Sequence, residues 1–395
     1  MDKTLGLYLH MPFCKNKCGY CDFYSVTDCK KCKRYTESIC LQMEDYSESA
    51  KKYTVDTVFI GGGTPSVLPK KCMLDIFDSL YTNFDIADDA EITMEVNPAT
   101  VDKGLLKTYR KEGVNRLSIG MQSSSNNELK ALSRIHDFED FEDCFDDARA
   151  AKFDNINVDI MYGIPEQTLA SLRMTVETVC EFRPEHISLY GLQIEENTPF
   201  GEKAFALRLP DEDTEFEMYS SAIEILKANG YEQYEISNFA LPGYECKHNL
   251  KYWNCEEYLG LGPAAHSYFG GSRFSFKRDI DLYMNAMESI DGDAFDIIGE
   301  NYEVKPSERM AEYVMLQLRL VKGLNTDKFR EIFGCSFERM FAKYLPAYIQ
   351  NGFMVKHGKN YAFTVKGMYV SNYILSTMLD FDSDISYGIA NGSDR

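Results

Sequence analysis

Three cysteines fall within eight residues, in the stretch Cys14-Lys15-Asn16-Lys17-Cys18-Gly19-Tyr20-Cys21. Soft thiolates at this spacing in a loop can converge on one metal centre, and three thiols just past a strand are hard to account for as core packing. A closed structural zinc site takes four protein ligands, as does a four-iron cluster held wholly by protein. Three ligands therefore leave one position open to a small molecule, or belong to a zinc site completed by His10, Cys29 or Cys32. The pair in Cys29-Lys30-Lys31-Cys32 has a spacing that can bind metal or cycle as a disulfide, and it fits two incidental exposed thiols equally well. Cys40, Cys72, Cys144, Cys180, Cys246, Cys255 and Cys335 read as packing residues.

The elements that must position the cysteine loop follow a regular alternation over the first 230 residues. Strands are expected at residues 5–10, 55–60, 91–96, 116–121, 155–161 and 186–194, with amphipathic helices between them, among them 71–81, 103–111, 138–151 and 169–182. Six such units, joined by right-handed crossovers, predict an α/β fold with a parallel sheet curved toward a barrel. Polar and glycine signals stand just past the strand ends: Gly61-Gly62-Gly63-Thr64-Pro65, Asn97-Pro98, Gln122-Ser123 and Gly163-Ile164-Pro165. In α/β barrels the carboxyl ends of the strands carry the chemistry, so these segments and the cysteine loop are expected at one mouth.

Over its 395 residues the chain is 44% hydrophobic and 26% charged, enough apolar surface to bury a core. Its formal charge of −20 repels phosphates, and the richest basic run, Lys30-Lys31-Cys32-Lys33-Arg34, is too short to reverse that, so nucleic acid is excluded as a partner. The apolar run before His10 is too brief for a secretion signal, and no stretch reaches the roughly 18 apolar residues of a membrane span. A cytoplasmic location with reduced thiols is expected. Beyond a helix at 213–228, residues 231–278 read as aromatic-rich loops and short strands. Helices at 307–320, 326–333 and 337–349 precede a hairpin around His357-Gly358-Lys359-Asn360. Three helices and a hairpin resemble a winged helix, which in so acidic a chain argues for packing or a partner rather than DNA. The expected domains are a barrel at 1–230, a barrel-completing segment at 231–290, a mainly helical domain at 291–380 and a tail at 381–395. Breaks at Asp291-Gly292-Asp293 and Lys305-Pro306 mark the boundary between 279 and 305.

Cys14, Cys18, Tyr20 and Cys21 match the C-x3-C-x-aromatic-C motif, and on them the sequence resembles the radical S-adenosylmethionine superfamily. The resemblance implies a [4Fe-4S] cluster held by Cys14, Cys18 and Cys21, with S-adenosylmethionine chelating the fourth iron. In that family the reduced cluster cleaves the sulfonium to methionine and a 5′-deoxyadenosyl radical, while the protein binds, orients and shields. Within the superfamily the chain is most similar to the coproporphyrinogen dehydrogenase group, which includes HemN oxidases and HemW-like haem chaperones. The matching stretches are Tyr8 to Cys14, Phe59 to Ser66, Asn115 to Ser123 and Asn157 to Pro165. Carried across, the family's cofactor roles fall on Tyr8 beside the cluster and Tyr20 near adenine. Gly62, Gly63 and Thr64 would lie against the methionine portion, and Glu95 would pair with its ammonium or the ribose. Gln122, Arg134 and Asp159 would supply donors and acceptors to a polar cofactor or substrate. The fold implied is a partial (β/α)6 barrel of the TIM type followed by a winged-helix-like helical domain.

Two departures separate the branches. HemN-type oxidases add a cysteine two places beyond the third, where this chain has Phe23, and they carry a longer segment before the cluster than the thirteen residues here. HemW-like proteins instead resemble Tyr234 to Ala240 and the stretch His248-Asn249-Leu250-Lys251-Tyr252-Trp253, an H-N-x-x-Y-W pattern associated with haem. The imidazole of His248 is a candidate axial ligand, with Tyr252 and Trp253 as covers for a porphyrin face. His266 is expected at the barrel mouth, where it would contact cofactor. The preferred function is haem custody: binding haem and passing it to recipient proteins, membrane-associated ones among the candidates. Oxidative decarboxylation of coproporphyrinogen and a structural zinc barrel are the alternatives.

Overall fold

The structure, a computed structural model, describes residues 3–289 and 297–379. The expected break at 291–293 and the tail at 381–395 lie outside the described residues. By contacts the chain divides into two units. The first holds residues up to Glu232, Phe239–Tyr252 and Glu256–Glu303; the second holds Gln233–Asn238, Trp253–Cys255 and the chain from Val304 onward.

The first unit opens with β1 (Lys3–Met11), α1 (Cys32–Ala50), β2 (Tyr53–Gly62), α2 (Lys70–Asn83), β3 (Ile86–Val96), α3 (Lys103–Lys111) and β4 (Arg116–Gln122). It continues through α4 (Asn126–Ala131), α5 (Phe138–Ala150), β5 (Ile156–Tyr162), α6 (Leu169–Phe182) and β6 (His186–Gly191). Strands β1 to β6 pair in sequence order, every pair parallel, as repeated right-handed crossovers require. The helices form where an apolar stripe meets a cap. In α5, Phe141, Cys144, Phe145 and Ala148 bury one face, and Asp137 and Asp140 form a capping box at its start. In α6, Thr168 and Ser171 do the same ahead of buried Leu172, Val176 and Val179.

The strand expected at 186–194 stops at Gly191, because the residues beyond turn: the Thr198 N–H donates to the Glu195 carbonyl at 3.1 Å. The sheet does not close between β6 and β1. Its order beyond β6 runs to β8 (Asn238–Ala240) and β7 (Glu232–Gln233), and at the other edge β1 pairs in parallel with β9 (Tyr258–Leu261). Antiparallel β10 (His266–Phe269), β11 (Ser272–Phe276) and β12 (Ile298–Glu303) follow. The region 231–278 also contains a helix, Lys247–Trp253, which carries the His248 stretch.

The second unit has its own core of Tyr313, Val314, Leu318, Phe329, Phe337, Phe341 and Phe363, among others. Helix Pro306–Leu318 leads into a three-stranded antiparallel sheet of β13 (Leu324–Asn325), β14 (Met354–His357) and β15 (Asn360–Phe363). The single helix expected at 337–349 is two, Phe337–Met340 and Leu345–Gln350. Pro346 lacks an N–H and cannot continue a helix from the residues before it, but it fits a first turn. Among the described residues no helix is long and apolar enough to cross a membrane.

Candidate cluster and cofactor site

The loop after β1 is pinned at its base. The Cys14 N–H donates to the Val26 carbonyl at 3.0 Å and the Val26 N–H to the Pro12 carbonyl at 2.7 Å, giving an isolated bridge between Phe13 and Val26. The end of β2 is tied to the same loop, with the Gly63 N–H on the Met11 carbonyl at 2.9 Å and the Thr64 N–H on the Phe13 carbonyl at 2.7 Å. Gly63 is required by this contact, since a Cβ there would lie 2.6 Å from the Met11 oxygen and 2.7 Å from that of Phe13. Gly62 has φ of 104°, in the left-handed region that favours glycine. The glycines therefore have a packing reason of their own, in addition to any ligand they admit.

Cys14, Cys18 and Cys21 line one cavity with Tyr20, Gly62, Gly63, Thr64, Glu95, Gln122, Arg134 and Asp159. Eleven of the thirteen expected site residues thus converge; Tyr8 and His248 do not. The Cys14 sulfur lies 3.5 Å from the Thr64 hydroxyl, and Arg134 donates to the Cys18 sulfur at 3.7 Å and to the Gly120 carbonyl at 2.7 Å. Arg134 Nε is buried with no partner among the described residues. Tyr20 packs beside Leu132, Met161, Ile164, Leu192 and Phe200, an apolar wall next to the thiols. Burial pushes the Cys21 thiol up to about 11, so it holds its proton until a metal displaces it.

The cavity's polar wall comes from two neighbouring rungs of the sheet. Glu95 stands opposite Ser118, Ser118 opposite Asn157, Gly120 opposite Asp159, and Asp159 opposite Ser188. Burial, and secondly the charge of Asp159, pushes the Glu95 carboxyl up to about 8 against the Gly62 N–H, which donates to it at 3.0 Å. Burial also raises Asp159, opposed by hydrogen bonds from Asn157 and Ser188 and by Arg116 and Arg134. Two acids held above their usual range in one cavity would both be relieved by a bound cation. Sequence reasoning missed Ser118 as a lining residue. Its signal was the period-2 run Ser118, Gly120, Gln122 against apolar Leu117, Ile119, Met121 on β4.

Of the fourth ligands proposed for zinc, Cys29 is an exposed free thiol and the other two are buried. His10 pairs through Nδ1 with the Tyr8 hydroxyl at 3.0 Å and through Nε2 with the Tyr24 carbonyl at 2.9 Å. Cys32 is buried, with Cys29 and Cys72 as its thiol neighbours. Among the described residues no three His, Cys, Asp or Glu side chains converge on a single ion.

Tyr8 and His248 do not line the cysteine cavity, although the Tyr8 hydroxyl stands close to Gly62 on its wall. Tyr8 lines a neighbouring cavity. His248 is buried and stacks on Phe59 with ring centroids 5.3 Å apart. Its Nδ1 pairs with the Thr57 hydroxyl at 2.9 Å and its Nε2 with the Tyr252 hydroxyl at 2.8 Å. Burial pushes its imidazole down to about 3. The Glu91 carboxylate accepts from the backbone N–H groups of Lys247 and His248 at 3.0 Å each, fixing the start of this helix. Glu91 precedes Glu95 by four residues, about 13 Å along the strand. His248 therefore sits at the level of Glu91 and Thr57, below the cysteine mouth, and iron ligation by it would break a buried hydrogen bond.

Residues 8–179 match the Radical SAM superfamily and residues 304–370 the HemN C-terminal domain. The parallel sheet with a three-cysteine loop after its first strand defines a radical SAM protein. The chain is 31% identical to the Heme chaperone HemW of Lactococcus lactis subsp. lactis over 96% of this chain and 98% of that protein. It is 32% identical to that of Bacillus subtilis over 94% and 98%, and 39% identical to that of Escherichia coli over 66% and 69%. The chain belongs to the HemW family. In fold it is similar to coproporphyrinogen III oxidase (HemN) from Escherichia coli, with a TM-score of 0.84, 23% identity and coverage of 96% of this chain and 91% of that one.

The cavity's residues fit the groups this family implies. Three thiols on one short loop suit a cluster with one open iron. The paired acids suit a sulfonium or ammonium, the unpartnered Arg134 Nε suits an anionic or hydroxyl group, and the Tyr20 wall suits a flat heterocycle.

Proposed function

We propose that this protein is a cytoplasmic haem chaperone, binding haem and passing it to recipient proteins, with a [4Fe-4S] and S-adenosylmethionine site in the same barrel. The observation that carries this reading is similarity to proteins named for haem chaperoning over nearly the full length of both partners. Phe23, where the oxidases carry their extra cysteine, supports it. Cys14, Cys18 and Cys21 hold the cluster. Gly62, Gly63, Thr64 and Glu95 hold the amino-acid portion of the cofactor, Tyr20 covers its base, and Gln122, Arg134 and Asp159 complete the polar wall. Bound there, the cluster and cofactor supply reducing and radical chemistry, and the protein's part is to bind, orient and exclude water.

The test combines haem titration with product analysis on anaerobically reconstituted protein. Haem binding is expected, with no conversion of coproporphyrinogen III to protoporphyrinogen IX in the presence of reductant and S-adenosylmethionine. Multiple-turnover conversion without measurable haem binding would restore the decarboxylase.

A further inference from the structure

We propose that His266 is the haem-iron ligand, in a second cavity beside the cluster loop; this rests on the haem-chaperone reading above. All six histidines of the sequence are described, and their surroundings separate them. His10 and His248 have both ring nitrogens engaged. His136 and His186 are buried, the first on the Met121 carbonyl at 3.2 Å and the second on Asn157 at 2.6 Å. His357 is exposed on the β14 hairpin of the second unit and lines neither of the two cavities described here. His266, at the start of β10, is exposed, lines a cavity, and forms no ring hydrogen bond among the described residues. Of the six it is the imidazole with a lone pair available to iron inside a cavity.

The cavity suits the rest of the ligand. It measures about 660 Å³, within the roughly 300–1,000 Å³ of pockets that enclose molecules of this class. Tyr24, Tyr252, Tyr258 and Phe276 line it, and the Tyr252 and Tyr258 rings meet edge to face at 4.5 Å, an apolar frame for a flat macrocycle. Lys277 and Arg278 also line it, cations matched to haem propionates. Arg278 is 3.3 Å from the Asp22 carboxylate in a half-exposed pair and also donates to the Asp22 carbonyl, contacts for which a propionate would compete. Phe23 lines both this cavity and that of the three cysteines, so a porphyrin held here sits beside the cluster loop. The side chain that replaces the oxidases' extra cysteine is thus part of the haem cavity's wall.

The test titrates haem into the full-length protein, following the Soret band, for the wild type, His266→Ala, His266→Met, His357→Ala and His248→Gln. His266→Ala is expected to shift the Soret band and weaken binding by about tenfold or more, with cluster absorbance and Tm unchanged. His266→Met is expected to restore affinity with a spectrum unlike the wild type, and His357→Ala to behave as wild type. A wild-type spectrum and affinity in His266→Ala would overturn the assignment while leaving haem custody standing. So would loss of ligation in His248→Gln at unchanged Tm. A wild-type protein that binds no haem would sink the chaperone reading itself.

Discussion

Glu95 and Asp159 face one cavity as buried acids, and Glu95 gives this a measurable pH dependence. In the protein without cofactor its carboxyl titrates at about 8, against an ordinary value of 4.5. The folded state therefore holds that proton more tightly than the unfolded chain. Its contribution to stability is complete below about pH 4.5 and is lost as pH rises through 8. Glu95→Gln keeps an oxygen for the Gly62 N–H and has no charge to bury. It is expected to match the wild type near pH 4.5 and to melt higher above pH 8, by roughly 2–4 °C per kcal/mol relieved. A difference in Tm that does not change with pH would remove burial as the cause. With S-adenosylmethionine, Glu95→Ala is expected to weaken binding by roughly 10–100-fold, the loss of a charge-assisted contact, while cluster iron is retained; unchanged calorimetric affinity would take Glu95 out of the site. Replacing Cys14, Cys18 and Cys21 together with Ala should abolish the cluster's absorption and paramagnetic signal after anaerobic reconstitution. A full signal in that variant would overturn the ligand assignment.

At the scale of elements, β2 holds the cysteine loop in place through backbone hydrogen bonds that only a glycine at 63 permits. Gly63→Ala puts a methyl against two carbonyl oxygens of the loop, and overpacking of this kind costs about 1–3 kcal/mol. Because the strain falls on the loop, iron per chain is expected to drop along with Tm; full cluster occupancy would show that the loop anchors independently of β2. The helix Lys247–Trp253 is positioned in the opposite sense, from inside the sheet. His248→Ala strands the Thr57 and Tyr252 hydroxyls and leaves a cavity, a loss of about 2–4 kcal/mol, whereas exposed His266→Ala should stay within about 0.5 kcal/mol of wild type. Denaturant unfolding of the two variants separates a structural histidine from one held ready for a ligand.

For the whole molecule, the second unit is assembled from three pieces of chain, so one cut does not release it intact. Ile236 and Cys255 pack against its core, and Gln317 donates to the Trp253 carbonyl at 2.8 Å. Glu235 is buried, and the positive charge of Arg319 helps hold down a carboxyl that burial pushes up to about 7. The segment from Val304 expressed alone lacks Glu235, Ile236, Trp253 and Cys255. It is expected to unfold less cooperatively and at lower temperature than the same unit in the full chain, measured by circular dichroism and amide exchange. Equal cooperativity would show that the inserted segments are dispensable.

The sequence by itself determined the repeating units and the grouping of three thiols on one loop, because both are local. Apolar periodicity and caps place α3, α5 and α6 to within a residue, and eight consecutive residues carry all three thiols. It also pointed to the polar mouth, since Glu95 and Gln122 stand at the carboxyl ends of β3 and β4, with Asp159 in the neighbouring β5. Tertiary structure alone decided the fate of the histidines. His248 and His266 stand in similar aromatic surroundings, and no local pattern says which ring is used up. Thr57, nearly 200 positions earlier, takes one nitrogen of His248, while the pairing of β9 with β1 brings His266 to a cavity wall with its ring unengaged. Hydrogen-bond satisfaction depends on distant partners, and for that reason the imidazole that the motif favoured is the one that the fold has already committed.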